Sequence, residues 1–202
     1  MKVLFVDACP RSREVSRSYR LGEAFVREVC RLRPDAKVRA LRLNDLGLQP
    51  LTGEDEAERS RLIDEGRLDD ARFDLAHAFA QAELIAVCAP YWDFMFPAAL
   101  KTFIEHVSVR TLTFVYRNDR PVGLSRADNL VFLTTAGSPM EGDNWGGEYL
   151  SAVTRRLLGV KHFHQVTAEG LDTQDADCEG IMAAAIAQAK DLAARIVQMP
   201  IL

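Results

Sequence analysis

The sequence predicts an α/β fold: an open five-stranded parallel sheet with helices on both faces. Three observations carry this. Continuous apolar runs rich in β-formers occur at Val3-Leu4-Phe5-Val6, Leu84-Ile85-Ala86-Val87-Cys88-Ala89 and Leu130-Val131-Phe132-Leu133-Thr134, the pattern of strands buried on both faces. Between them lie apolar residues at helical spacing, most clearly Leu100, Phe103, Ile104 and Val107 at i, i+3, i+4 and i+7. Strand and helix patterns alternate through the chain, which favours parallel strands joined by helical crossovers.

Taken in order, the first strand at Val3 to Val6 is followed by a loop rich in Pro, Ser and Arg. Leu21, Phe25, Val29 and Leu32 then mark a first helix that ends at the Arg33-Pro34-Asp35 turn. Val38, Ala40, Leu41 and Leu43 form the second strand, with a loop from Gly47 to Gly53. Glu54 to Gln81 reads as two helices broken near Gly66. The third strand stops at Pro90, and the helix of Leu100 to Val107 follows. Thr111 to Tyr116 alternates like a half-exposed strand, with turn chemistry from Asn118 to Gly123, so a small hairpin is expected there. After the fourth core strand comes a Gly-rich loop from Ala136 to Gly147, then a helix carrying Tyr149, Leu150, Val153 and Leu157. His162 to Ala168 is the fifth strand. Ile181, Ala185, Ala189, Leu192 and Ile196 form the stripe of a closing helix. Five such units favour the strand order 2-1-3-4-5 in a single domain spanning 1–202, with ligands bound where strand order reverses, at the carboxyl ends of strands one and three.

Composition narrows the function classes. The chain has 202 residues, 48% of them hydrophobic, enough for one substantial core. Its 25 basic and 29 acidic side chains give a net charge of -4, which supplies no broad positive field for nucleic acid. Cys9, Cys30, Cys88 and Cys178 show no C-x-x-C spacing, so neither a zinc motif nor a disulfide framework is indicated. The N-terminus carries no signal-peptide pattern, and no segment approaches the roughly 20 apolar residues that span a bilayer. The expectation is a soluble cytoplasmic protein without nucleic-acid or membrane partners.

Function should therefore lie in the loops after Val6, Ala89 and Thr134. The first, Ala8 to Ser18, brings hydroxyls and amides to the start of a helix, where anions bind. It holds neither G-x-G-x-x-G nor G-x-x-x-x-G-K-[ST]. Ser16, Arg17 and Ser18 suit a phosphate monoester; equally, Ser16 or Ser18 would serve as a plain helix cap. The second, Pro90-Tyr91-Trp92-Asp93-Phe94-Met95-Phe96-Pro97, concentrates aromatics just beyond the central strand, as a flat apolar ligand, a core or a partner surface would require. In the third, Thr134-Thr135-Ala136-Gly137-Ser138-Pro139, Gly137 permits close backbone approach to a planar ring; taken alone, the loop reads first as an ordinary strand-to-helix turn. A phosphate pocket beside two walls for a flat heterocycle has the shape of FMN.

At these residues the chain resembles the flavodoxin-like NAD(P)H dehydrogenases, in particular the FMN-dependent NADH-azoreductase and NAD(P)H:quinone oxidoreductase group. The likeness runs through Ala89-Pro90-Tyr91-Trp92-Asp93-Phe94, through Pro97-Ala98-Ala99-Leu100-Lys101 to Thr113-Phe114-Val115-Tyr116, and through Ala168-Glu169-Gly170-Leu171. The middle segment is the most specific, the family pattern being P-x-Y-N-F, a helix with L-K, and then T-F-x-Y. The resemblance implies phosphate-binding roles for Ser16, Arg17 and Ser18, and a flavin-ring loop at Pro90, Tyr91, Trp92, Asp93 and Phe94. It also implies a ring-edge loop at Thr135, Ala136, Gly137 and Ser138. Three departures stand out: Cys9 where many relatives carry serine, Trp92-Asp93 for Tyr-Asn, and Ser138 for a second glycine. The resemblance still implies Cys9 as a cofactor-binding position, with one phosphate contact weakened by the change. What the family implies is a homodimer with FMN held noncovalently near the interface. NADH or NADPH would reduce the flavin, and a small aromatic acceptor (quinone, azo or nitroaromatic) would then take the hydride. No catalytic side chain is required, because the hydride chemistry belongs to the cofactor. The alternative is a flavodoxin-type electron carrier that does not oxidise NAD(P)H.

Five residues also have ordinary explanations. His162 and His164 share a strand face without a third metal ligand. His106 suits a surface or interface position. Cys9 at a cationic helix entrance would stabilise a thiolate or simply replace serine. Trp145 would serve as a lid over the site mouth or as packing.

Overall fold

The structure, a computed structural model, describes residues 1–198; residues 199–202 of the expected domain lie outside them. Its sheet contains β1 (Lys2–Asp7), β2 (Lys37–Arg42), β3 (Leu84–Pro90), β6 (Asn129–Thr135) and β7 (His162–Ala168), all parallel, in the order β2-β1-β3-β6-β7. With the separate hairpin β4 (Phe114–Arg117) and β5 (Arg120–Gly123) set aside, this is the 2-1-3-4-5 order expected from the sequence. The strand order reverses between β1 and β3.

The unbroken apolar runs are explained by burial on both faces. Val3, Phe5, Ala86, Cys88, Val131 and Leu133 face one core, beneath α1 (Arg17–Leu32) and α6 (Cys178–Gln198). Leu4, Val6, Ile85, Val87, Leu130 and Phe132 face the other. There they lie beneath α3 (Asp74–Gln81), α4 (Ala98–Val107) and α5 (Trp145–Arg156). α2 (Gly53–Asp64) packs Leu62 into a satellite core with Phe73 and Ala76. Fully burying an aliphatic or aromatic side chain contributes about 1.5–3 kcal/mol, so the two layers supply most of the driving force for this architecture. Among the described residues no helix is long and apolar enough to cross a membrane.

Boundaries differ from the sequence reading in three places. In the hairpin, the turn is the pair Asn118-Asp119, both at positive φ (50° and 59°), and residues 120–123, read as turn chemistry, pair as β5. A two-residue turn of this hand matches the twist of the flanking strands. α5 begins at Trp145, so Gly146 and Gly147 are inside its first turn, with Asn144 capping through a bond from Gly147 N. In β2, Val38 is exposed and Leu43 lies in the short 3₁₀ turn beyond the strand. β2 is an edge strand, paired only with β1.

One glycine fixes how α1 lies on the sheet. A Cβ on Gly22 would come 2.7 Å from Cys88 Cβ and 3.0 Å from the Phe5 ring. The helix therefore rests directly on β1 and β3, close enough that any side chain there overpacks the layer. Gly22→Ala is expected to destabilise the fold by about 1–3 kcal/mol, read as a lower urea midpoint at unchanged m-value.

Candidate functional site

At the carboxyl edge of the sheet, where β1 and β3 diverge, a cleft of ≈ 150 Å³ joins four strand-end loops. Pro10, Val15, Ser16, Arg17 and Ser18 form one side; Pro90, Tyr91 and Trp92 form another. Thr135 to Gly137 and Asp172 close the third. A wider hollow of ≈ 670 Å³ runs along α5 and β7, framed by Arg155, Arg156 and Lys161. It lies two strands away from the switch point, so the smaller cleft is the one this topology marks for ligand binding.

One side of the cleft is built on the start of α1. Ser16 is its N-cap: its backbone is extended and its Oγ accepts a bond from Tyr19 N at 3.2 Å. The amides of Arg17 and Ser18 belong to the first turn and have no carbonyl partner within the helix, so they are donors at the positive end of the helix dipole. Ser18 is 2% exposed, and its hydroxyl is 2.6 Å from that of Thr135, tying the start of α1 to the end of β6. Arg17 reaches across the cleft, where Nη1 donates to Leu171 O at 3.1 Å and Nη2 to Asp172 Oδ1 at 2.7 Å. This rim pair is half exposed, so it contributes about 0.2–1 kcal/mol and mainly sets geometry.

The aromatic side is a tight turn. Trp92 N donates to Met95 O and Met95 N to Trp92 O, at 3.2 and 2.8 Å. Asp93 and Phe94 between them take φ of 50° and 62°, a left-handed conformation that costs a non-glycine residue about 1–2 kcal/mol. The turn projects Phe94 outward, where it stacks on Trp145 at 5.3 Å between centroids and meets Tyr91 edge-on at 6.2 Å. Tyr91 is itself held by Tyr91 N to Thr135 O at 2.9 Å and by its hydroxyl to Asp143 O at 2.7 Å. Loss of hydration first, and the Asp143 carboxylate second, push the Tyr91 phenol above its usual value, keeping it a donor. Trp92, Phe94 and Trp145 remain 50%, 49% and 54% exposed. Behind them, Gly137 leaves room for Asp172: a Cβ would come 2.4 Å from its Oδ2.

Of the residues singled out from the sequence, Ser16, Arg17, Ser18, Pro90, Tyr91, Trp92, Thr135, Ala136 and Gly137 line this one cleft. Asp93, Phe94 and Ser138 belong to the same loops but stand outside its lining, on the exposed rim. Cys9 is turned away altogether. Its amide donates to Asp7 Oδ1 at 3.1 Å, and its sulfur faces Cys88 O and Cys88 Sγ at 3.7 and 3.9 Å, so neither group points at the cleft. Burial first, then the Cys9 thiol and the Asp7 carboxylate, push the Cys88 thiol well above its usual value. Trp145 joins the rim through Phe94. His106 bonds Gln49 O at 2.9 Å, away from the cleft. Sequence reasoning did not single out Pro10, Arg11, Val15 and Asp172, which also line the cleft. For Asp172 a signal existed: it follows the fifth strand, whose carboxyl end opens onto the same edge.

The chain matches the family described as flavodoxin-like fold over residues 1–193, and it belongs to that family. It is 31% identical over 198 residues to FMN-dependent NADH:quinone oxidoreductase 2 of Clostridium acetobutylicum, covering 95% of this chain and 98% of the relative. It is 28% identical over 197 residues to the FMN-dependent NADH:quinone oxidoreductase of Caldicellulosiruptor bescii, with coverage of 95% and 98%. The fold is similar to that of an azoreductase from Bacillus anthracis, with a TM-score of 0.84 and 24% identity over 96% of this chain and 99% of that one. An FMN-dependent NADH-azoreductase from Bacillus anthracis, solved in complex with FMN, matches at TM-score 0.84 and 17% identity, covering 98% and 100%.

Two outcomes are expected. Ser18→Ala leaves the buried Thr135 hydroxyl without its partner and should cost about 1–3 kcal/mol in denaturant unfolding. His164 sits apart from the cleft, its Nε2 2.8 Å from Asn129 Oδ1. Burial first, then the charges of His162 and Arg195, lower its pKa below the usual 6.5. The unfolded chain then binds a proton that the folded one resists. His164 thus contributes stability above pH ~6.5 that is lost as pH falls toward its folded pKa. His164→Gln should flatten the stability profile in that window, measured by unfolding at pH 7.5, 6.5 and 5.5.

Proposed function

We propose that this chain is an FMN-dependent oxidoreductase that passes a hydride from NADH or NADPH to quinone, azo or nitroaromatic acceptors. One observation carries the reading: a single cleft joins helix-start donors to an exposed aromatic wall, in a chain akin to FMN-dependent NADH:quinone oxidoreductases over nearly its whole length.

The residues fit the group. The free first-turn amides of α1, together with Ser16 and Arg17, suit a phosphate monoester. Asp172 tempers the positive charge there and holds Arg17 in place. Pro90 to Trp92 on one side and Thr135 to Gly137 on the other offer surfaces for a flat ring. FMN, when bound, supplies the two-electron chemistry that no side chain of this site provides. The protein's part is to hold and orient. The turn at Asp93-Phe94 fixes the Trp92 wall, and Gly137 keeps backbone rather than side chain beside the ring.

The finer parts of the reading follow the same logic. One domain covers the chain, and the protein works as a homodimer in the cytoplasm. The exposed Trp92, Phe94 and Trp145 rim lies near the subunit interface, so a second copy and the acceptor share that apolar surface.

Purified protein loaded with FMN should be yellow and bleach with NADH or NADPH under anaerobic conditions. A benzoquinone should restore the colour. Protein that retains no flavin at saturating FMN, or flavoprotein that neither nicotinamide bleaches, would sink the proposal, the latter pointing to an electron carrier. Gly137→Ala should drive Asp172 aside and weaken FMN binding about tenfold, which corresponds to roughly 1.4 kcal/mol, by fluorescence titration.

A further inference from the structure

On the α1-covered face of the sheet, beneath the first loop, three donor side chains converge that the flavin reading leaves unused. Asp7 ends β1, Cys9 follows two residues on, and Cys88 is the parallel partner of Asp7 on β3. Their exposures are 2%, 2% and 0%. Their ligand atoms all lie within 4.8 Å of one another. The two sulfurs are 3.9 Å apart, and Asp7 Oδ1 is 3.9 Å from Cys88 Sγ.

This separation has a chemical meaning. Around a tetrahedral ion with metal–sulfur bonds of about 2.3 Å, two thiolates stand about 3.8 Å apart. Two thiols in simple contact would lie at a similar distance, so the donor set rests on the third group as well: the buried Asp7 carboxylate, whose Oδ1 accepts from the Cys9 amide at 3.1 Å and keeps a lone pair for the side of the sulfurs. Here the carboxylate is divided between two tasks: Oδ1 faces the sulfurs, while Oδ2 is held from behind by Arg13 Nε at 3.3 Å. A second-layer partner of that kind orients a ligating carboxylate. Cys30 and Cys178 have no comparable grouping among the described residues.

We propose that Asp7, Cys9 and Cys88 bind a thiophilic divalent cation of the zinc type. Binding releases the two thiol protons to solvent and forms two metal–sulfur bonds and one metal–oxygen bond; no electrons are transferred. Two thiolates, one carboxylate and a dication leave one negative charge, which Arg13 offsets. Water completes the tetrahedron. Pro10, next to Cys9, lines the cleft, so the ion sits at the root of the loop proposed to hold phosphate. The proposal is independent of the redox reading, since the three ligands lie outside the cleft lining.

The test is titration of the full-length protein, stripped by a chelator, with Co²⁺. One ion per chain should bind with an intense near-ultraviolet sulfur-to-cobalt charge-transfer band, and Zn²⁺ should displace it. The band should vanish in Cys9→Ser and in Cys88→Ser. It should persist in Cys30→Ser, Cys178→Ser and His164→Gln. Should Cys88→Ser not fold, alkylation of the natural chain decides: Zn²⁺ should protect Cys9 and Cys88 and leave the other two thiols reactive. Absence of the band, its persistence in Cys9→Ser, or a Cys9–Cys88 disulfide formed in place of metal uptake would overturn the site.

Discussion

The close approach of α1 to β1 and β3 is the constraint on which the rest of the carboxyl edge depends. Gly22 removes the side chain that would hold the helix away from Cys88 and Phe5. The Ser18 to Thr135 bond then fixes the start of the helix against β6. With both contacts in place, the first-turn amides of Arg17 and Ser18 open into the cleft between the diverging strand ends. A helix raised by one methyl group would still cover the core, but its donors would no longer meet the loops after β3 and β6. Packing and the proposed anion recognition thus rest on the same few residues.

The aromatic loop shows the opposite economy. Asp93 and Phe94 occupy left-handed backbone that costs free energy, and the gain is positional. The turn presents Trp92 at the cleft and sends Phe94 outward onto Trp145. Of the three half-exposed aromatics, Phe94 stacks on Trp145 and meets Tyr91 edge-on, while Trp92 is held by the turn itself. A flat heterocycle, an aromatic acceptor or a second copy of the chain would each cover surface that the isolated chain leaves in water.

Two buried polar groups tie the first loop to the sheet, one through a partner far along the chain and one chiefly through near neighbours in sequence. Ser18 pairs with Thr135 across 117 residues of sequence. Asp7 is held by Arg13 and by the amide of Cys9, with two sulfurs completing its surroundings. Removing one partner from such a group costs more than the bond is worth, since the remaining polar atom stays buried. These groups therefore hold the first loop to the sheet, and the loop in turn shapes the cleft.

Much of this was legible in the sequence. Unbroken apolar runs, helical stripes and strand-end punctuation are local signals, and they sufficed for the five parallel strands, their order and three of the four loops that meet at the cleft. The boundaries that moved did so through local chemistry that composition hides. Asn118-Asp119 makes a two-residue turn without glycine, and Gly146-Gly147 enters α5 because Asn144 caps it. What the sequence by itself determined was the architecture and the residues placed at the switch point, since periodicity records which faces are buried. Only the tertiary structure decided where side chains turn. Cys9 points into the core toward Cys88, Arg17 pairs with Asp172 across 155 residues, and Gly137 makes room for that same aspartate. Those outcomes depend on which distant atoms share a buried space, and no spacing along the chain encodes that.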